Sequence, residues 1–205
     1  MPRGTISVMT SRTLHLTGNP EADELLAADG NALLLGMVLD QQVPMEKAFA
    51  GPAVLAERMG TPGRIDVPGI AFMNADEFAE LCARRPAVHR FPGAMAKRLQ
   101  GVCQALVERY DGSAVELWST ADSGEELLRR IGDLPGFGAQ KAAIFVALLG
   151  KQYDVTPPGW REAAGKYGES DSRRSVADVV DARSLDEVRA TKKAVKAAAK
   201  ASATD

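Results

Sequence analysis

The chain has 205 residues, of which 45% are hydrophobic and 5% aromatic, and its formal net charge is −2. A chain of this length and hydrophobic content can bury the core of one compact unit or of two small lobes. The predominance of Ala and Leu favours helices. The slightly negative net charge excludes a protein that is held on nucleic acid by bulk electrostatics. No stretch approaches the length of a membrane span and no signal-peptide pattern follows Met1, which indicates the reducing cytoplasm.

The hydrophobic pattern along the chain predicts an all-α fold. Residues 1–11 read as disordered, and alternation over 13–17 predicts a short strand or an extended arm. Helices are predicted over residues 20–31, 32–41, 45–59, 75–83, 92–110, 113–118, 123–133 and 139–149. A Pro-containing loop then precedes a short helix from Trp160, residues 175–180 are ambiguous, and a final helix extends from Leu185 to about Ala199.

The most informative stretch is LPGFGAQKA, residues 134–142, which lies between two apolar-periodic segments. Pro135 followed by Gly136 and Gly138 permits a sharp turn with φ > 0 and keeps side chains out of the way. The pattern predicts a helix, a tight glycine turn and a second helix, with Gly150 just past its end. Bare N–H groups at the start of the second helix, with Lys141 in its first turn, suit a phosphate oxygen. An ordinary helix–turn–helix corner is the alternative.

Local basic clusters are the candidate sites for contact with an anionic partner. They are Arg84-Arg85 with His89-Arg90, Lys97-Arg98, and a tail with Arg189, Lys192, Lys193, Lys196 and Lys200 that has no acid until Asp205. Residues 184–187 read as a capping box, so the tail is predicted to be helical. It is either a solvated terminal helix or a phosphate-binding arm.

Three blocks of the sequence together resemble the helix-hairpin-helix superfamily of base excision DNA glycosylases, which includes endonuclease III and the adenine and alkylpurine glycosylases. The blocks are residues 134–142, the apolar helix and its turn in 31–44, and the helix in 94–112, and their order and spacing match over about 31–150. Residues 40–44, Gly159-Trp160 and the Lys-rich end resemble more closely a little-characterised actinobacterial subgroup. The chain lacks the C-terminal cysteine cluster that an iron–sulfur cluster requires.

The resemblance implies a two-lobed helical glycosylase fold. A six-helix bundle over 31–150, with its helix-hairpin-helix at about 125–149, would be flanked by a lobe built from 1–30 and 151–205. It implies a nucleoid-associated monomer that binds double-stranded DNA and needs neither a metal nor another cofactor. The implied DNA-binding residues are Pro135, Gly136, Phe137, Gly138, Ala139, Gln140 and Lys141, together with Gln41 and Gln42, one of which is expected to fill the gap left by a flipped base.

The chain departs from the family in its catalytic residues. Such glycosylases use a carboxylate that stabilises the oxocarbenium-like sugar and directs a water, and bifunctional members add a lysine two residues after the second hairpin glycine. That position is Gln140, with Lys141 one residue later, so no β-lyase activity is expected. The family's signature Asp would fall on Pro157 or Pro158.

Three acids are therefore candidate catalytic residues: Asp40, Asp154 and Glu162. Asp40 ends the apolar helix and would face the flipped base, with a role as a helix cap as the alternative. Asp154 and Glu162 lie on either side of the expected position, with a role as surface acids as the alternative. The sequence predicts a monofunctional DNA glycosylase, and the alternative is a catalytically silent module that recognises damaged or distorted DNA.

Overall fold

The computed structural model describes residues 12–202, which form eleven α-helices and two short 3₁₀ turns, without a strand. The helices are α1 (Pro20–Ala28), α2 (Gly30–Leu39), α3 (Met45–Arg58), α4 (Val67–Phe72), α5 (Ala75–Ala83), α6 (Pro92–Tyr110), α7 (Ala114–Ser119), α8 (Gly124–Gly132), α9 (Ala139–Gln152), α10 (Trp160–Ala164) and α11 (Ala182–Ser202). The prediction of an all-α fold is confirmed. The predicted disorder of residues 1–11 lies outside the described residues.

The helix α2 occupies the centre of the fold. Its sequence, GNALLLGMVL, carries no charge, and all of its residues except Asn31 are buried. A helix that is apolar on every side must be covered on every side. Accordingly, α2 packs against α1, α3, α6 and α7.

The N-terminal segment is an extended arm and not a strand. Leu14 and Leu16 are buried in the core, whereas His15 between them is exposed. This alternation explains the alternating pattern of residues 13–17 in the sequence. The buried Asp23 carboxylate accepts hydrogen bonds from the backbone N–H groups of Leu16 and Thr17, both at 2.9 Å. A side chain of α1 therefore satisfies backbone groups that a neighbouring strand would otherwise pair.

The short helix α4 was not predicted. Its six residues are too few to show helical periodicity. It begins with Pro68 in its first turn, and the Asp66 carboxylate accepts from the N–H of Gly69 at 3.0 Å. A proline in the first turn and an acidic cap are the local signals that could have found it.

Gly150 lies inside α9 and not after it, because α9 continues to Gln152. A Cβ atom at this position would overlap the indole of Trp160, so close packing requires glycine here. Trp160 is buried and acts as a packing anchor for α10. The prediction that Gly150 ends the helix was wrong because the glycine serves packing between helices.

The predicted capping box at residues 184–187 was also wrong. The helix α11 begins at Ala182, and the Asp181 carboxylate accepts from the N–H of Ser184 at 2.7 Å, so Ser184 lies in the first turn. A capping box is formed instead by Ser175 and Asp178, around the 3₁₀ turn Val176–Asp178.

Cys82 and Cys103 are both free and buried. Among the described helices, none is long and apolar enough to cross a membrane.

Candidate functional site

The site begins at the hairpin turn, residues 133–138, which joins α8 to α9. Gly136 has φ of 86°, in the left-handed region that favours glycine, whereas Gly138 has φ of −93° and ψ of 170°. Only the first glycine is therefore needed for the conformation of the turn. Phe137 points inward, and its ring centroid lies 5.9 Å from that of Phe145.

The first turn of α9 presents backbone N–H groups to solvent. Gly138, Ala139 and Gln140 are exposed, and within residues 12–202 no side chain caps this helix. The first amides of a helix have no intrahelical acceptor and carry the positive end of its dipole. A Cβ atom at Gly138 would meet nothing within 4 Å. The space outside the turn is thus open to an anion.

Lys141 lies in the same turn, but its side chain points into the protein. Its Nζ donates to the carbonyl oxygens of Met37 at 2.9 Å and Val38 at 3.2 Å, in the last turn of α2. Burial lowers the pKa of Lys141 to about 8; the charge of Asp40 opposes this shift and that of Arg98 adds to it. The ammonium therefore binds the carbonyl end of α2 and does not face outward from the turn.

Gln140 occupies the position at which bifunctional glycosylases carry a lysine. Its side-chain amide donates to the Tyr167 hydroxyl at 2.9 Å. Tyr167 belongs to the 3₁₀ turn Gly165–Tyr167, which follows α10 and packs on α9. The amide is thus held on the side of α9 that faces the C-terminal segment.

The glutamine turn, residues 40–43, follows α2 and lies beside Lys141. Gln41 is fixed by three hydrogen bonds: its Nε2 donates to Val38 O at 2.8 Å, its Oε1 accepts from Arg98 at 2.6 Å, and its backbone carbonyl accepts from His89 at 2.8 Å. Gln42 is exposed and has φ of 56°. The two glutamines are therefore not equivalent, because Gln41 is built into the turn and Gln42 projects from it.

His89 and Arg98, which the sequence placed in basic clusters for contact with an anionic partner, support this turn instead. His89 is 0% exposed. Its Nδ1 accepts from the N–H of Phe91 at 3.0 Å, so its Nε2 carries the hydrogen that is donated to Gln41. Because these partners lie far apart in the chain, no local sequence pattern points to the contact.

Asp40 is the one candidate acid that the structure brings to the glutamine turn and the start of α9. It is half-buried directly after α2. Burial raises the pKa of its carboxyl, while the charges of Lys192 and then Lys141 lower it and that of Glu46 raises it. Its own backbone N–H donates to carbonyls of α2, so it ends that helix, and within the described part of the chain the next helix, α3, begins without a side-chain cap.

Asp154 and Glu162 lie elsewhere. Asp154 follows α9, whose fourteen residues span about 21 Å from the hairpin turn. Its side chain is 87% exposed and pairs with Arg12 at 3.6 Å. Glu162 is exposed on α10, the helix that Trp160 anchors against Gly150 near the far end of α9.

The last helix, α11, also reaches this region. Arg189 forms an ion pair with Glu46 in the first turn of α3, and the charge of Lys192 acts on Asp40. The charges of one lysine of the hairpin helix and one lysine of the C-terminal helix thus both act on Asp40.

Comparison with known proteins identifies the family. A family model described as HhH-GPD superfamily base excision DNA repair protein matches residues 35–204. This range includes the glutamine turn, the hairpin and α11. No curated protein and no solved structure matches the chain.

Proposed function

Because the chain belongs to the HhH-GPD superfamily of base excision DNA repair proteins, we propose that it is a monofunctional DNA glycosylase. It acts as a monomer on double-stranded DNA and hydrolyses the N-glycosidic bond of a damaged or modified base. The observation that carries the proposal is the junction made by Lys141, which places the hairpin turn, the glutamine turn and Asp40 side by side.

The open amides after the hairpin turn would hold one strand of the duplex. Gly138 and Ala139 are exposed at the positive end of the α9 dipole, and nothing obstructs the approach of a phosphate oxygen. Contacts of this kind position the duplex without reading its sequence. In this proposal the buried ring of Phe137 supports the turn from within.

Gln42 would fill the space left in the duplex when the target base is flipped. It is exposed on a turn that projects beside the hairpin, whereas the Gln41 side chain is already bonded on both its oxygen and its nitrogen. An amide offers a donor and an acceptor to the base that loses its partner.

Asp40 would supply the catalytic carboxylate. Cleavage of the glycosidic bond builds positive charge on the sugar, which a nearby carboxylate stabilises while it directs a water. Lys192 and Lys141 favour the ionised form of Asp40, although burial raises its pKa. Hydrolysis by a carboxylate and a water needs no metal and no other cofactor.

β-Lyase activity is not part of the proposal. Gln140 has no amine with which to attack the sugar, and the amine of Lys141 donates to two carbonyl groups of α2. A Schiff base requires a free, unprotonated amine at the sugar.

A catalytically silent DNA-binding module is the second candidate. The observation that favours it is the pair Pro157-Pro158 at the place of the family's signature acid, with Asp154 and Glu162 both away from the hairpin. In this case the amides and Gln42 would recognise distorted DNA without releasing a base.

The test is a panel of duplexes that each carry one alkylated, oxidised, deaminated or mismatched base, scored for free base and abasic sites. Release that is lost in Asp40→Asn but kept in the matched variants Asp154→Asn and Glu162→Gln supports the glycosylase. Binding of abasic or bent duplexes without any release supports the silent module. A chain that binds no duplex and releases no base would contradict both.

A further inference from the structure

The cationic residues of α11 form a single stripe. The helix has 21 residues, and after Val188 its only charged residues are Arg189, Lys192, Lys193, Lys196 and Lys200. At 3.6 residues per turn, these five positions fall within an arc of about 100°. The stretch from 188 to 204 contains no acid, although the whole chain has a net charge of −2.

The first part of α11 is anchored to the body of the protein. Val188 is buried, and Leu185 packs against the core. On the cationic stripe, Arg189 pairs with Glu46 and Lys192 acts on Asp40. The stripe therefore starts on the side of the protein that carries the glutamine turn.

The second part of α11 leaves the body. The described side chains from Lys192 to Ala198 are all exposed, including Val195 at 58%. Eleven residues from 192 to 202 extend about 16 Å. Because a helix keeps its faces in register, the stripe continues past the body on the side that meets Glu46 and Asp40.

We propose that α11 is an arm that binds the phosphate backbone of duplex DNA beside the proposed catalytic site. This inference rests on the proposed function, because it is the duplex seated on the hairpin and Gln42 that would meet the overhanging stripe. A row of cationic residues with no acid, which starts beside Glu46 and Asp40, is complementary in charge to a nucleic-acid backbone. It would make binding more sensitive to salt without adding sequence preference.

The test measures binding of a fluorescent, undamaged 24-bp duplex by anisotropy over a series of salt concentrations. The variant is Lys193→Ala with Lys196→Ala, which leaves Arg189 and Lys192 in place. Its matched control is Arg64→Ala with Arg109→Ala, which removes the same charge elsewhere. Arg64 adjoins Ile65, whose N–H binds Asp29 at the opposite end of α2, and Arg109 lies at the far end of α6.

We expect the magnitude of the negative slope of log K against log salt to fall by about two in the α11 variant, about one for each lysine, and to stay unchanged in the control. Alanine has the highest helix propensity, so both changes keep the helix, which circular dichroism checks. An equal slope in variant and control overturns the arm. Tighter binding by the variant also overturns it, because α11 would then occupy the DNA site.

The two proposals fail in different ways. If the wild type binds duplex DNA or releases a base and the lysine changes have no effect, the proposal for α11 is wrong and the proposed function stands. If the wild type binds no duplex and releases no base, both the proposed function and the proposal for α11 are wrong.

Discussion

The Lys141 ammonium donates a hydrogen bond to the carbonyl oxygen of Met37 at 2.9 Å, across 104 residues of chain. This contact joins the first turn of the hairpin helix to the last turn of the central apolar helix. The lysine therefore sets the spacing between the hairpin turn and the glutamine turn, which the proposed function needs side by side.

The first prediction concerns the stability of this junction as a function of pH. Burial lowers the pKa of Lys141 to about 8, so between this value and its ordinary pKa the unfolded chain binds more protons than the folded one. Stability should therefore rise with pH across this window, by about 1–2 kcal/mol after allowance for partial exposure. Denaturant unfolding of the wild type and of Lys141→Met at pH 7 and pH 9.5 measures the difference. If the free energy of unfolding changes with pH by the same amount in both proteins, the Lys141 ammonium is not desolvated.

The second prediction separates the two glutamines. Gln42→Ala should leave the free energy of unfolding within about 0.5 kcal/mol of the wild type, because the side chain is exposed, but weaken binding to an abasic duplex. Gln41→Ala should lower stability by about 1–2 kcal/mol, because the half-buried Arg98 loses its acceptor. Thermal unfolding and anisotropy distinguish the two variants. The reverse pattern would assign the inserted residue to Gln41.

The third prediction separates the two glycines of the hairpin turn. Gly136→Ala forces a side chain into a backbone with φ of 86° and places its Cβ 3.3 Å from Arg98, so it should cost about 1–2 kcal/mol of stability. Gly138→Val meets no neighbour and keeps an extended φ, so the fold should be unaffected while the affinity for duplex DNA falls. An unchanged affinity would argue against phosphate contact at this amide.

The fourth prediction concerns Asp40. Burial raises the pKa of its carboxyl, so the rate of base release should increase as the carboxyl ionises. This increase should occur at pH values above the ordinary pKa of aspartate. The same shift means that ionised Asp40 lowers the stability of the folded state, and that this loss appears as pH rises through the raised pKa. Asp40→Asn should thus abolish release and slightly raise the melting temperature at pH 7. A melting temperature well below that of the wild type would indicate a structural role.

The fifth prediction concerns the segment that leads into α11. Asp178 is buried and accepts hydrogen bonds from Lys151 at 2.6 Å and from the Ser172 hydroxyl at 3.1 Å. Removal of one partner of a buried ion pair costs about 3–5 kcal/mol. Asp178→Ala should destabilise the protein by this amount, whereas the exposed Asp186→Ala should have little effect. Chemical denaturation measures both.

Much of the fold could be predicted because its helices carry local signals. α5 and α6 have the predicted bounds, since Asn74 caps the first of these helices and Pro92 begins the second. The end of α6 is marked by Asp111 and Gly112, both with positive φ. The short α4 lacks a full period, and this is why it was missed.

The site could be predicted only where its parts are contiguous in sequence. The hairpin turn and the glutamine turn are each short local motifs. The direction of Lys141, the burial of His89 and the bond from Arg98 to Gln41 depend on partners 48 to 104 residues away. In the sequence these side chains are candidates for contact with an anion, because the sequence shows their charge and not the carbonyl groups to which they donate.

The end of α2 and the start of α9 meet at the site and give it an electrical polarity of its own. The amide end of one helix and the carbonyl end of the other emerge side by side, about one lysine side chain apart. A duplex resting there would find attraction for its anionic backbone at the start of α9, while Asp40, at the end of α2, would face a sugar that becomes cationic as its base departs. The two helix ends would then set the direction in which the strand lies.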